Sequence, residues 1–242
     1  LQVPRFRALG YRMRPRFDFR EPRFQAIVRR WLPVVSTSSV FAINQQVALY
    51  FASGLVDGSG SALTNALVFW QLPFGIFGAS ITTVLFPEMS RYAAEGPEAR
   101  SRLGDTLYAG LQGLALLLIP SAVGLAVLGE PIIAVALERG AFSSVATTRA
   151  ARVLAGYSLG LFSVGAFTFA QRFFYACGDF RTPLKVAVVV MVLDVGLSLW
   201  LKETRLAVAG LAVANGIAFT VGLALFARGI AAHLGELRVR VM

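Results

Sequence analysis

The sequence has 242 residues, of which 56% are hydrophobic and 15% are charged, and its mean hydropathy is +0.66. Charged residues make up about a quarter of an ordinary soluble domain, so this composition excludes a soluble domain and indicates a protein of the lipid bilayer. The net charge is +10, but Lys and Arg lie almost wholly between the apolar segments. That distribution favours a role in membrane orientation over nucleic-acid binding.

The first thirty residues are rich in Arg and are interrupted by Pro4, Pro15 and Pro22. They lack the continuous apolar core of a signal peptide. We expect residues 1–30 to be a basic cytoplasmic linker inside a longer protein, of which these 242 residues are a fragment.

Six apolar stretches follow, each close to the roughly 20 residues that a membrane-spanning helix needs. They lie at about 31–53, 62–86, 106–129, 153–176, 184–201 and 206–227. Long runs without alternation exclude a barrel. The sequence therefore predicts an all-α polytopic membrane helix bundle of about six transmembrane helices over residues 31–230, with 231–242 as a cytoplasmic tail or the start of a further connection. The short segment 131–137 is expected to be a half-helix along the outer interface.

Lys and Arg are unevenly divided between the two sets of alternate connections. The set that includes both termini holds eighteen, and the other set holds five, namely Arg139, Arg149, Arg152, Lys202 and Arg205. The positive-inside rule places the richer set in the cytoplasm. Both ends of the chain are therefore predicted to be cytoplasmic.

Three prolines lie inside apolar stretches, at Pro33, Pro73 and Pro120. Each removes a backbone donor and clashes with the preceding turn, so bent helices are expected. Because Gly75 and Gly78 follow Pro73, the second span should be most bendable there.

Polar side chains interrupt the first two spans. Asn44, Gln45 and Gln46 are consecutive and cover about 200° of a helix, so at least one side of the first span should face water or other helices. The Ser and Thr residues of these spans are likewise expected to face other helices or a cavity. We take Asn44, Gln45, Asn65 and Gln71 as candidates for lining a substrate cavity.

Asp194 lies near the middle of the fifth span, where an aspartate costs about 2.5–3.5 kcal/mol on insertion scales. No Lys or Arg lies deep in any span to offset that cost. Ser198 is one helical turn away on the same face, and Asn215 on the next span can supply a further oxygen. The acid could be protonated and hydrogen-bonded to a neighbouring helix, bind a coupling ion or proton, contact substrate, or pair with an Arg elsewhere in the protein. We expect it to face a hydrated crevice.

Enzyme motifs are missing from the sequence. It contains no Walker A loop, no GxSxG, no HExxH and no H-x-E with paired cysteines, and Cys177 is the only cysteine. We therefore predict no catalytic residue, no metal site and no organic cofactor. Without an ATP site, any transport must draw on an ion gradient, the membrane potential or the substrate gradient.

Three runs carry a resemblance to a known family: NALVFWQLPFGIFGASITTVLFPEMSR (65–91), YSLGLFSVGAFTFAQRFFYACGDFRTPLKVA (157–187) and AGLAVANGIAF (209–219). In order and spacing they resemble the MurJ (MviN) lipid II flippases of the multidrug/oligosaccharidyl-lipid/polysaccharide exporter superfamily. Gly178, Asp179, Thr182 and Pro183 would form a turn before the fifth span. The resemblance covers about residues 1–230 and implies the second lobe, helices seven to twelve of fourteen.

The resemblance implies transfer of an undecaprenyl-linked peptidoglycan precursor from the cytoplasmic to the periplasmic leaflet of the bacterial inner membrane, by alternating access. The implied partners are that lipid-linked precursor, membrane lipids and the first lobe of the same polypeptide, with sodium or a proton for coupling. Positions matching the family's cation site are Ala48, Asp194 with Ser198, and Asn215.

Two departures from the family pattern stand out. Leu67 and Val68 replace an Asp-Arg pair, and Ala48 replaces an acid that some members carry. The alternatives are another exporter of the superfamily, for polysaccharide lipids or for drugs in exchange for cations, and a membrane assembly scaffold that transports nothing.

Overall fold

The computed structural model describes residues 21–140 and 142–239, and every regular element in these ranges is a helix. The helices are α1 (Pro22–Ser53), α2 (Ser59–Pro73), α3 (Ala79–Glu95), α4 (Arg100–Leu137), α5 (Ser144–Ala176), α6 (Arg181–Leu201) and α7 (Val208–Val239). A π-helical turn, Phe74–Gly78, joins α2 and α3 into one continuous helix. The predicted all-α bundle of six helices is confirmed.

Five of the six helices are long and apolar enough to cross a membrane. The exception within the described residues is α1, whose 32 residues include the consecutive polar side chains at 44–46. Helix α1 begins at Pro22, inside the range predicted as a linker, and α7 continues past residue 230 to Val239. Residues 1–20 lie outside the described residues, so the linker itself stays a prediction.

Helix α5 is the centre of the bundle. Of the 18 consecutive residues that form the most apolar part of α5, 72% are buried, whereas only 11% are buried in the corresponding part of α4. It packs against α7, α4 and α2, while α6 packs between α7 and α1. Aromatic rings fill the interior, with the centroids of Phe167 and Phe226 4.5 Å apart and those of Phe174 and Phe226 5.0 Å apart.

Small residues bring α5 and α7 into close contact. A Cβ atom added at Gly160 would lie 2.5 Å from the Cα of Gly216, and one added at Gly156 would lie 3.0 Å from the Cβ of Ala212. Both pairs are one helical turn apart along their helices, as in the small-xxx-small contacts of membrane helices. This crossing fixes the position of α7, including its neighbouring Asn215.

The helix is irregular after Pro73, where the sequence predicted a bend. Proline has no N–H, and the helix continues after it through the π turn, in which the N–H of Ala79 donates to the carbonyl of Phe74. π turns of this kind insert an extra residue into the helical ladder and are a recognised source of bends.

The half-helix predicted for residues 131–137 is wrong, because α4 runs without interruption from Arg100 to Leu137 and includes Pro120 and Pro131. At about 1.5 Å per residue its 38 residues exceed the roughly 30 Å hydrocarbon core. The helix ends where the guanidinium of Arg139 donates to the carbonyls of Ala136 (2.7 Å) and Val135 (3.5 Å). Basic side chains commonly satisfy the last carbonyls of a helix in this way.

The predicted turn before α6 is present. Gly178 has a φ of +75°, which favours glycine. The Oδ1 of Asp179 accepts hydrogen bonds from the backbone N–H groups of Arg181 (2.9 Å) and Thr182 (3.0 Å). Burial of Asp179 acts to raise its pKa, but these bonds and one from the Thr182 side chain outweigh it and lower the pKa below its ordinary value.

The expectation that Ser and Thr of the first two spans face other helices is only partly met. Ser38, Thr64 and Ser80 are exposed, and each hydroxyl donates to the carbonyl four residues earlier in its own helix. Such a bond satisfies the hydroxyl locally, so these side chains need no partner on another helix.

Candidate functional site: a buried acidic cluster

Asp194 lies in the interior of the bundle with only 4% of its surface exposed. Its Oδ2 accepts hydrogen bonds from Asn44 Nδ2 (2.6 Å) and Asn215 Nδ2 (2.8 Å), and its Oδ1 accepts one from Ser198 Oγ (3.3 Å). These four residues are called the Asp194 cluster below. It joins α1, α6 and α7 through a single carboxylate.

The local sequence explains why these side chains meet. Ser198 follows Asp194 by four residues and therefore lies one turn away on the same face of α6. Because α6 packs between α1 and α7, a residue on its inner face can be reached from both neighbours. Asn44 is 8% exposed, so the α1 partner is as enclosed as the acid.

The expected hydrated crevice is not what surrounds Asp194 in this conformation, because the carboxylate is enclosed by donors from three helices. No Lys or Arg within residues 21–140 and 142–239 forms an ion pair with it. Neutral donors therefore take the place of a basic partner. Three hydrogen-bond donors thereby satisfy the oxygens of this buried carboxylate.

The donor set also decides what the cluster can hold. Carboxylate, hydroxyl and amide oxygens are the ligands that small hard cations accept, so the residue types fit a monovalent cation. In the present arrangement both amides direct Nδ2 at the carboxylate, and a cation would require them to rotate and present Oδ1 instead. A proton on Oδ1 requires no rotation of the amides, because the Ser198 hydroxyl, which now donates to Oδ1, can turn its hydrogen away and become the acceptor.

The four residues predicted to line a substrate cavity are not assembled into one site. Asn44 belongs to the Asp194 cluster, and Gln45 and Gln71 are exposed on α1 and α2. Asn65 is half-buried and its Nδ2 donates to Ser61 Oγ at 3.2 Å on the same helix. No described hydrogen bond joins Gln45, Asn65 and Gln71 to one another.

Of the three positions that depart from the family pattern, two contact the core. Ala48 and Leu67 are partly buried against the core, and the Val68 side chain is 55% exposed. Helix α1 nevertheless contributes to the Asp194 cluster, through Asn44, which lies one turn before Ala48. The family resemblance implied that α1 contributes to the site through the position of Ala48. The sequence did not predict that Asn44 contacts Asp194.

The sequence also did not predict the side-chain contacts of Trp70, Tyr157 and Arg172. Trp70 Nε1 donates to the backbone carbonyl of Tyr157 at 3.1 Å and its ring stacks on Phe74, which ties α2 to α5 beside the π turn. The guanidinium of Arg172 lies 5.6 Å from the centroid of the Phe86 ring, and its buried Nε has no hydrogen-bond partner among the described residues. A cation this close to an aromatic face is stabilised by the ring quadrupole.

The bundle of long apolar helices, with an acid held in its interior, defines a class: a multi-pass helical membrane protein. A family model described as lipid II flippase MurJ matches residues 1–238. The chain belongs to the lipid II flippase MurJ family, as the resemblance in its sequence implied. The family is one of transporters and not of enzymes, and its members place this multi-pass protein in the inner membrane.

Relatives and a solved structure agree with the family match. The chain is 34% identical over 218 residues to a probable lipid II flippase MurJ of Borreliella burgdorferi, covering 90% of this chain and 42% of that protein. It is 30% identical to the corresponding protein of Haemophilus influenzae, covering 95% and 46%. A structure described as lipid II flippase MurJ in an inward closed conformation superposes with a TM-score of 0.74 at 28% identity, covering 93% of this chain and 47% of that one. The chain therefore spans less than half the length of these relatives.

Proposed function

We propose that this chain is the second lobe of a lipid II flippase, which moves the undecaprenyl-linked peptidoglycan precursor from the cytoplasmic to the periplasmic leaflet. The observation that carries the proposal is the family match over residues 1–238, together with relatives that bear the name of lipid II flippase over most of this chain. The partners are the lipid-linked precursor, the surrounding lipids and a first lobe that supplies the other half of the cavity.

Alternating access requires parts of the protein that stay rigid and parts that move. The α5–α7 crossing is suited to the rigid part, since its backbones are in van der Waals contact at Gly160 and Gly216. Helix α1 is suited to the moving part, because it packs mainly on α6 and is tied to α7 by a polar contact through Asp194.

Asp194 is the coupling group in this proposal. Its carboxylate takes up and releases a proton, or a small monovalent cation such as sodium. In the charged form it holds the amides of Asn44 and Asn215, and protonation weakens both bonds because a neutral carboxyl is the poorer acceptor. Loss of the Asn44 bond removes the polar contact between α1 and this carboxylate and leaves α1 held by its packing on α6 and by the stacking of Phe41 on Phe219. The charge on one residue thereby biases two arrangements of the bundle.

A transport assay tests the proposed function. The whole protein that contains these residues is reconstituted into vesicles, and transfer of fluorescently labelled lipid II between leaflets is measured beside a labelled polysaccharide-lipid precursor and a cation-coupled drug flux. The proposal predicts transfer of lipid II and neither of the other two activities. Drug-coupled cation flux or transfer of the polysaccharide lipid alone would assign the chain to another exporter of the superfamily, and no flux of any kind would favour an assembly scaffold.

A further inference from the structure

A cavity of about 860 Å³ lies at the end of the bundle where the α1–α2, α4–α5 and α6–α7 connections meet. Its walls come from the α1–α2 connection, the first turns of α5 and the α6–α7 connection. Arg149 holds two of these parts together, because its guanidinium donates to the backbone carbonyl of Asp57. The volume is that of a binding pocket for a sizeable molecule, and Asp194 is not among its lining residues.

Three arginines line this cavity: Arg149, Arg152 and Arg205. No Asp or Glu is among the described residues that line it, and neither Arg152 nor Arg205 forms an ion pair within the described part of the chain. The one carboxylate bonded to a lining residue is that of Glu130, which accepts from the Thr148 hydroxyl at 2.7 Å. The wall of the cavity is therefore positively charged.

The positions of these arginines are unusual for this end of the molecule. The connections at this end hold only five of the 23 Lys and Arg residues, which is why they are expected on the outer side of the membrane. Three of those five converge on one cavity. Most of the few basic residues at this end of the molecule therefore lie around one cavity. Such clustering points to an anionic ligand and not to membrane orientation.

The remainder of the wall is largely apolar and open. Leu159 is 74% exposed, Val145 66% and Leu206 45%, and all three line the cavity. In a chain that crosses the bilayer, such exposed apolar side chains suit contact with hydrocarbon. The cavity thus offers guanidinium groups and an apolar wall together, which is the pattern that an anionic amphiphile fits.

We propose that this three-arginine cavity binds an anionic glycerophospholipid, with its phosphate among Arg149, Arg152 and Arg205 and its acyl chains against Val145 and Leu159. Guanidinium groups form bidentate hydrogen bonds with phosphate oxygens, and a basic pocket between membrane helices is a recognised form of lipid headgroup site. The site does not depend on the Asp194 cluster or on the transported substrate.

The test uses the whole protein in detergent, with dioleoyl phosphatidylglycerol as the probe and dioleoyl phosphatidylcholine as the neutral comparison, and counts bound lipid by native mass spectrometry. Retention of phosphatidylglycerol over phosphatidylcholine is expected. Arg152→Gln and Arg205→Gln should each weaken its binding about fivefold. Arg139→Gln is the matched control, since Arg139 is exposed near the same end and does not line the cavity. That variant should bind like the parent.

Four results would overturn the proposal: equal retention of the two lipids, an equal loss in Arg139→Gln, full competition by inorganic phosphate, or a preference for a prenyl diphosphate over phosphatidylglycerol. Full competition by phosphate would mean that the cavity binds a soluble anion. A preference for the prenyl diphosphate would mean that the cavity binds the transported substrate. Arg205 lies in the α6–α7 connection and is exposed, so Arg205→Gln gives a readout even if Arg152→Gln fails to fold.

Discussion

The carboxylate of Asp194 accepts three hydrogen bonds from side chains that carry no charge. Sequence alone placed Ser198 and Asn215 beside the acid, as oxygens for a cation and not as donors, because the spacing between Asp194 and Ser198 is fixed by the helix and Asn215 lies on the adjoining span. It could not predict Asn44, which lies 150 positions earlier in the chain. Three consecutive polar residues at 44–46 made α1 a candidate, but only the packing of α1 on α6 decides which of the three is turned inward.

Replacement of Asn44 tests that assignment. Asn44→Ala removes one of the two amide donors to Oδ2, and we expect the free energy of unfolding to fall by about 1 kcal/mol, the usual size of a polar contact between membrane helices. Gln45→Ala is the control, because the adjacent Gln45 is exposed. Thermal unfolding of the purified protein in detergent measures both variants, and equal losses of stability would contradict the assignment.

Asp179 gives a prediction about pH. Its folded-state pKa is lowered, because the hydrogen bonds from Thr182 and Arg181 outweigh the effect of burial. A group whose pKa is depressed on folding stabilises the protein above its unfolded value of about 3.9 and loses that contribution as the pH falls through the folded value. The difference in melting temperature between the parent and Asp179→Ala should therefore shrink as the pH falls below about 4. A difference that grows as the pH falls below about 4 would contradict the prediction.

At the scale of the elements, the lengths of the apolar runs predicted six helices, because a chain segment in lipid must form all its backbone hydrogen bonds internally. The same reasoning failed at residues 131–137, where an apolar run too short to span was predicted to be a separate half-helix, and α4 instead continues through it with Pro131 inside the helix. A proline removes only one hydrogen bond, and a helix with more than thirty other residues tolerates that loss. The sequence predicted a bend after Pro73 but not the π turn, because it does not show which carbonyl accepts from the N–H of Ala79.

The α5–α7 crossing is sensitive to a single methyl group. Gly160→Ala would place a Cβ 2.5 Å from the Cα of Gly216, and neither backbone can move aside without separating the helices. We expect a loss of about 1–3 kcal/mol in the free energy of unfolding, the usual cost of overpacking.

Gly196→Ala is the matched control for this substitution, because a Cβ at Gly196 on α6 meets no atom within 4 Å. Removing a helical glycine there should leave stability unchanged or raise it by up to about 1 kcal/mol. Thermal unfolding of both variants in the same detergent is the measurement. A destabilised Gly196→Ala beside an unaffected Gly160→Ala would mean that the helices do not cross as described.

At the scale of the whole molecule, the chain spans less than half the length of its MurJ relatives. Its composition and Lys and Arg pattern predict a membrane bundle, and its three sequence runs predict the family, but neither could place Asp194 in a closed interior instead of a crevice. That difference matters for mechanism. In the proposed mechanism an acid enclosed by α1, α6 and α7 acts on the packing of those helices, whereas an acid in an open crevice would act on the solute directly.

The central claim is that the charge of Asp194 couples these helices to transport. Asp194→Asn keeps the size of the side chain and still offers an oxygen to Asn44 or Asn215, so the bundle should fold. The most direct measurement is the rate of lipid II transfer by vesicles that hold equal amounts of the parent whole protein or its Asp194→Asn variant. A rate reduced about tenfold, within the usual range of coupling energies, is the predicted result; transfer at the parental rate would contradict the claim.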